Sequence, residues 1–167
     1  RSPISLVQSI IFPEIIFKYL KEEDLKKNDF YKKTIVNGSF EKRMSFYKSI
    51  IRVTFAKNKN IFISAPTLRD ARKIHSKISQ GIEDKCFILH SSLTQKTIRE
   101  SVLKIMANKS SLIIGTPQYA FINGSSLGGI IIESEHKSLY KTRLSPFMDG
   151  RIILDHYAKK LEIPLYT

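Results

Sequence analysis

Residues 112–121, LIIGTPQYAF, and residues 127–141, LGGIIIESEHKSLYK, form the stretch of sequence that decides the fold. Each segment contains a short, continuous apolar run, at Leu112–Ile114 and at Gly129–Ile132, and each run stops at a turn-forming or polar segment. Runs of this length and composition predict strands. Strands that are apolar on both faces are typical of parallel sheets, whose two faces are both covered.

The same pattern extends outward along the chain. A lead-in segment, 1–30, with a short amphipathic helix predicted at 14–25, precedes a domain predicted over 31–167. Short apolar strands that alternate with amphipathic helices predict an α/β fold in three layers. In such folds the working groups lie beyond the carboxyl ends of the strands. Strands are predicted at 34–36, 61–63, 86–89, 112–114, 129–132 and 163–166, and helices at 42–57, 68–78, 94–106 and 151–161.

The chain is strongly basic, with 28 Lys and Arg residues against 15 Asp and Glu residues and a net charge of +13. A surplus of this size attracts polyanions, usually nucleic acid, although compositional bias of a genome produces the same surplus. The single cysteine, Cys86, excludes an internal disulfide, so a reducing, cytoplasmic setting is expected. The four histidines lack metal-ligand spacing, and neither zinc nor another metal site is predicted. No membrane span or signal peptide is predicted either.

Read in order, the predicted strand ends resemble motifs of superfamily 2 helicases, specifically those of the primosomal protein N′ (PriA-like) family. Residues 112–121 and 127–141 are similar to that family's IVIGTRSALF and LGLIIVDEEHDSSYK. Residues 89–93 resemble its LHSGL, residues 65–67 stand at its VPE, and Arg151 and residues 163–164 stand at its RYHARD and IP segments. The resemblance covers about residues 33–167. It implies the first RecA-like (P-loop NTPase-like) motor lobe of a parallel-sheet helicase that acts in replication restart.

The phosphate-binding loop that the resemblance implies is eroded. The family's GVTGSGKT is replaced by residues 35–43, IVNGSFEKR. Such a loop needs glycines whose backbone N–H groups cradle the phosphates, a lysine, and a Ser or Thr that holds Mg²⁺. Only one glycine remains, and Glu41 repels phosphate. The candidate ligands of ATP and Mg²⁺ are Gly38, Ser39, Lys42 and Arg43.

The family's acidic motif, DEEH, is also changed and reads Glu133-Ser134-Glu135-His136. In the family the first acid holds the metal ion, the second polarises the attacking water, and the histidine couples the nucleotide state to DNA contact. Ser134 cannot act as that base, and loss of a general base typically lowers a rate by about 10²–10⁴-fold. Glu133, Glu135 and His136 are therefore candidate catalytic residues of a site with weak or no ATP hydrolysis.

Candidate DNA-binding residues follow from the same resemblance. In this superfamily the segment after the second strand and the Gly115-Thr116 turn contact the nucleic-acid backbone, and basic side chains and helix-start N–H groups suit phosphate. The alternative is a capped helix with a solvated basic face, and a tight turn. Phe121, Tyr140 and Phe147 are considered for base stacking. The candidates for DNA contact are Thr67, Arg69, Arg72, Lys73, Gly115, Thr116, Tyr140 and Lys141.

The resemblance and the charge together predict a DNA-binding motor-lobe domain of a primosomal replication-restart helicase-like protein. Its expected partners are branched or single-stranded DNA and replication-restart proteins. One alternative is an active ATP-dependent 3′–5′ DNA helicase lobe that uses Lys42 or Arg43 in a non-standard phosphate loop. Another is a non-catalytic protein-interaction module of the replication machinery, which predicts no salt-dependent DNA affinity. A third is a decaying gene product with no selected activity.

Overall fold

A single sheet of six parallel strands is the centre of the computed structural model, which describes residues 31–141 and 148–167. The strand order is β1-β6-β5-β2-β4-β3, so β1 and β3 are its edges. The predicted lead-in 1–30, with its helix at 14–25, and Phe147 lie outside the described residues. The strands are Lys33–Thr34 (β1), Asn60–Ser64 (β2), Cys86–Leu89 (β3), Leu112–Gly115 (β4), Leu127–Ile132 (β5) and Leu165–Tyr166 (β6).

Helices cover both faces of the sheet. The α-helices of the described residues are Phe40–Ala56 (α1), Leu68–Ile78 (α2), Gln95–Ala107 (α3) and Gly150–Leu161 (α4). Helices α1 and α2 pack on one face, whereas α3, α4 and the 3₁₀ segment Pro117–Ser126 pack on the other. The prediction of a three-layer α/β fold with an all-parallel, RecA-like sheet is confirmed.

The alternation of side chains along each strand fills two separate cores. In β2, Ile61 and Ile63 point to the α1 and α2 side, and Phe62 points to the α3 and α4 side. All three side chains are fully buried. This is why the apolar runs are continuous rather than alternating, and why the strands were recognisable in the sequence.

Side-chain caps set the helix starts. Thr67 accepts a hydrogen bond from the backbone N–H of Asp70, and α2 begins at Leu68 as predicted. Helix α1 begins at Phe40, two residues before the predicted start, because Ser39 is its cap. Strand β1 ends at Thr34 rather than continuing through 36 as predicted, but the backbone N–H of Val36 still donates to Thr167 at 2.6 Å.

No helix of the described ranges, 31–141 and 148–167, is both long enough and apolar enough to cross a membrane.

Candidate nucleotide and DNA site at the carboxyl edge of the sheet

The carboxyl ends of the central strands bring most of the predicted site segments to one edge of the sheet. Glu133 follows β5, and its backbone N–H donates to the carbonyl of Ser64 at the end of β2, at 3.0 Å. The backbone N–H of Ala65 donates in turn to the carbonyl of Gly115, which ends β4, at 2.9 Å. The loop before α1 reaches the same edge through Gly38.

A partly buried ion pair lies at the centre of this edge. The Glu133 side chain is 4% exposed, and Arg43 Nη2 donates to its Oε1 at 2.6 Å. Tyr47 donates its hydroxyl to Oε2 at 2.7 Å, and Ser134 donates its hydroxyl to Oε1 at 3.1 Å. The same guanidinium donates through Nη1 to the carbonyl of Gly38 at 2.6 Å. Groups of the chain itself therefore satisfy both oxygens of the Glu133 carboxylate.

Hydrogen bonds and burial together shift the pKa values of the groups around Glu133. The hydrogen bond to Glu133 raises the pKa of Arg43 above its usual value, so the guanidinium stays charged. Burial raises the pKa of the Tyr47 hydroxyl, and the nearby charge of Glu133 raises it further. The Tyr47 hydroxyl therefore stays neutral and donates a hydrogen bond to the carboxylate throughout the physiological pH range.

A metal-bound nucleotide in the family's arrangement does not fit these residues. The resemblance assigns Glu133 to the metal ion, but in the structure this carboxylate binds the guanidinium of Arg43. A fixed positive charge at that point repels a divalent cation. Glu41 adds a negative charge in the first turn of α1, where a phosphate would approach. Arg43 is thus engaged with both Glu133 and Gly38. The exposed Lys42 stays a predicted phosphate ligand.

The other predicted catalytic residues do not converge on Glu133. Glu135 forms a salt bridge with Lys33 of β1 at 3.2 Å, and its backbone carbonyl accepts a hydrogen bond from Arg151 at 2.6 Å. His136 is exposed. Ser134 has a left-handed backbone, with φ at 54°, which turns the chain sharply after β5. Glu133 and Glu135 therefore pair with different basic residues, Arg43 and Lys33.

Tyr140 is a structural residue at this edge. Its side chain is 4% exposed, and its hydroxyl lies 2.8 Å from the carbonyl oxygen of Ser64 and 2.7 Å from that of Glu133. Phe121 is 8% exposed and packs on Tyr157 with ring centroids 4.5 Å apart. Both rings are mostly buried, although each also lines a cavity of about 220 Å³ at this edge, and base stacking by Tyr140 or Phe121 stays a prediction. The same burial argues against contact between Tyr140 and DNA.

The buried tyrosines predict how the fold responds to alkaline pH. Burial raises the pKa of Tyr47 and of Tyr140 above the unfolded value of about 10. The stability that comes from keeping these hydroxyls neutral is fully present below pH about 10 and is lost as the pH rises toward the folded pKa values. We expect tyrosinate absorbance from these residues only together with loss of the circular dichroism signal. Complete tyrosine ionisation near pH 10 with intact circular dichroism would contradict the assignment.

The start of α2 is fixed by a small polar network. Thr67 Oγ1 lies 2.8 Å from Asp70 Oδ2, and Lys137 Nζ lies 3.0 Å from the same oxygen. Burial opposes ionisation of Asp70, but the hydrogen bonds from Thr67 and Lys137 outweigh it and lower its pKa. The network joins α2 to the turn after β5.

The basic side chains of α2 lie outside this network. Arg69 and Arg72 are exposed and form no salt bridge within the described part of the chain. Lys73 lies over the ring of Phe40, 4.2 Å from its centroid. The first turns of α2 thus present two cations to solvent beside backbone N–H groups of the helix start.

The Gly115-Thr116 turn is closely packed. Gly115 is buried, and a Cβ atom added there would lie 2.4 Å from the backbone oxygen of Leu89. Thr116 lines a cavity of about 220 Å³ that also touches Gln118, Leu139 and the exposed Lys141. Within the described ranges, the buried Oγ1 of Thr116 has no hydrogen-bond partner.

The sheet and its carboxyl edge define the class of protein as a RecA-like, three-layer α/β protein with a P-loop-like fold. No family model matches the chain. Replication restart protein PriA of Buchnera aphidicola subsp. Schizaphis graminum is 29% identical over 141 residues, which are 84% of this chain and 20% of that protein. PriA of Helicobacter pylori strain J99 is 22% identical over 121 residues, 72% of this chain and 20% of that protein.

PriA of Rickettsia prowazekii is 24% identical over 146 residues, 84% of this chain and 22% of that protein. The chain is therefore similar to replication restart protein PriA of these three bacteria. It spans about a fifth of the length of the curated relatives that it matches.

Proposed function

We propose that this chain is a DNA-binding lobe of a replication-restart helicase-like protein and that it hydrolyses ATP weakly or not at all. Its relatives are replication restart proteins, and the net charge of +13 favours binding to a polyanion. Branched or single-stranded DNA is the proposed ligand, and other replication-restart proteins are the proposed partners.

The observation that carries the DNA-binding part is the start of α2. Arg69 and Arg72 are exposed there, and no acid of the described residues neutralises them. The positive end of the helix dipole and free backbone N–H groups lie at the same place. Guanidinium and N–H groups are the donors that bind phosphate in most protein–DNA contacts. Asp70, which would oppose such contacts, is held by Thr67 and Lys137.

The residues around Glu133 support the proposal that the chain hydrolyses ATP weakly or not at all. Ser134 stands where the family has its general base, and its hydroxyl donates to Glu133. The guanidinium of Arg43 binds the acid that the family uses for its metal ion. The alternative of an active lobe that uses Arg43 as its phosphate ligand requires this ion pair to break. An ATPase rate above background that depends on Glu133 would contradict the proposal.

Fluorescence anisotropy of a labelled forked DNA, titrated with this chain at two salt concentrations, tests the proposal. We expect binding at low salt and a linear fall of log K with log salt, with a slope of about −0.9 for each phosphate neutralised. A chain that carries several phosphate contacts therefore loses affinity steeply on a fourfold rise in salt. No binding at low salt would favour the protein-interaction module instead.

A further inference from the structure

We propose that Arg43 takes the place of a divalent metal ion in this lobe. Its guanidinium joins the loop before α1 to the end of β5, and this link needs neither metal nor nucleotide. The inference rests on the proposed function in one respect only, namely that the lobe binds DNA at this edge.

The geometry around Arg43 carries the inference. Three oxygen atoms surround the guanidinium: the carbonyl oxygen of Gly38 and Oε1 of Glu133, each at 2.6 Å, and Oε2 of Glu133 at 3.4 Å. Carboxylate and carbonyl oxygens are also the ligands of hard divalent cations. Arg43 and Glu133 are 90 residues apart in sequence, so the guanidinium holds together two segments that the sheet only brings near each other.

The charge balance supports the same conclusion. The Glu133 side chain is 4% exposed, and a buried carboxylate needs a positive partner. Arg43 supplies that charge from within the chain and keeps it at every physiological pH, because its pKa is raised by the bond to Glu133. Tyr47 and Ser134 donate to the same two oxygens, so the carboxylate gains nothing from a further cation.

Two consequences follow. The link between the loop and β5 is permanent, so the affinity of the chain for DNA does not respond to Mg²⁺ with a non-hydrolysable ATP analogue. Removal of the guanidinium leaves a negatively charged hollow lined by the oxygens of Glu133 and Gly38. An Arg43→Ala variant therefore acquires a need for a divalent cation that the natural chain lacks.

Thermal unfolding with and without millimolar Mg²⁺ or Mn²⁺, at constant ionic strength, tests this inference independently of DNA. We expect the natural chain to show the same Tm in both buffers. Arg43→Ala should lose about 5–10 °C without divalent cations, because the buried carboxylate is then unpaired, and should regain several degrees with them. Mn²⁺ bound to this variant is counted by electron paramagnetic resonance, with one ion expected for each chain.

Two further variants serve as controls. Arg43→Ala combined with Glu133→Gln removes the unpaired charge, so its Tm should not respond to divalent cations. Arg43→Gln removes the charge but leaves a longer, polar side chain than alanine, so it should show the same cation response and replaces Arg43→Ala if that variant does not fold. The inference would be overturned if divalent cations left the Tm of both single variants unchanged. It would also be overturned if the natural chain bound Mn²⁺ at Glu133.

The DNA arm separates this inference from the proposed function. A chain that binds forked DNA equally well with and without the Mg²⁺-bound ATP analogue supports both. DNA affinity that changes several-fold with the analogue would overturn the permanent link while leaving DNA binding intact. A chain that binds no DNA but shows the expected cation response of Arg43→Ala would overturn the proposed function alone.

Discussion

Reversal of two charges at the start of α2, Arg69→Glu together with Arg72→Glu, is expected to lower the affinity for forked DNA by roughly 100-fold at low salt. Both side chains are exposed, and neither forms a salt bridge in the described ranges, so their charge is available to phosphate. Each lost phosphate contact should also reduce the salt slope by about one. Anisotropy titrations over a range of salt concentrations measure both quantities.

The chain offers a closely matched control for this variant. Lys96 and Arg99 occupy the same second and fifth positions of α3 that Arg69 and Arg72 occupy in α2, and both are exposed. Both helices also begin after a threonine cap, but α3 packs on the opposite face of the sheet. Lys96→Glu with Arg99→Glu changes the net charge by the same amount but lies outside the proposed DNA contact. It should therefore lower the affinity for forked DNA much less. An equal loss of DNA affinity in both double variants would mean that the affinity depends only on the net charge of the chain.

Neither double variant should lose stability. At positions 69 and 96, in the first turn of each helix, an acidic side chain is favourable toward the helix dipole, whereas a basic one is not. The side chains at positions 72 and 99 are exposed, so their replacement removes no buried contact. Equal Tm values for the two variants and the natural chain therefore ensure that the comparison concerns binding. A fall in Tm for the α2 pair alone would mean that these arginines support the fold.

The layers of the fold were predictable because a strand that is buried on both faces has a continuous run of apolar residues in the sequence. Runs such as Ile61-Phe62-Ile63 and Leu112-Ile113-Ile114 are too apolar for a surface and too short for a helix in this context. The 3₁₀ segment Pro117–Ser126 was not predicted, because its apolar residues follow neither a strand nor an α-helical period. Its position is fixed instead by contacts with distant residues, such as the bond between Asn60 and Asn123 at 2.8 Å.

The site was predictable only in part. The resemblance placed Glu133 and the loop before α1 at one reaction centre, but nothing in the local sequence indicates that Arg43 faces inward to this acid. The hydroxyl of Tyr47, one helical turn further on, has no sequence signal beyond its place on the buried face of α1. Tyr140 matches the family motif, yet a motif does not tell which way an aromatic side chain points. Pairings across the sheet depend on side-chain direction, which spacing alone does not determine.

Substitution of Gly115 by alanine is expected to destabilise the fold by about 1–3 kcal/mol, which lowers Tm by roughly 4–10 °C for a chain of this size. The added Cβ would lie 2.4 Å from the backbone oxygen of Leu89, so β3 or β4 must shift. Neighbouring backbone cannot rotate away as the end of a flexible side chain can. The cost therefore falls on the pairing of β3 with β4, which joins Leu89 to Gly115. Thermal unfolding followed by circular dichroism measures it.

Gly129→Ala is the matched control, because Gly129 is also a buried strand glycine but a Cβ there would meet its nearest atom at 3.8 Å. Its Tm should stay close to that of the natural chain, since added bulk at that distance makes an ordinary contact and alanine restricts the unfolded chain.

The two glycine variants also decide between the two interpretations of the Gly115-Thr116 turn. If Gly115→Ala keeps its Tm and loses only DNA affinity, the turn is a nucleic-acid contact. If it loses Tm and the folded variant binds forked DNA normally at low temperature, the glycine is there because β3 and β4 approach each other too closely for any side chain.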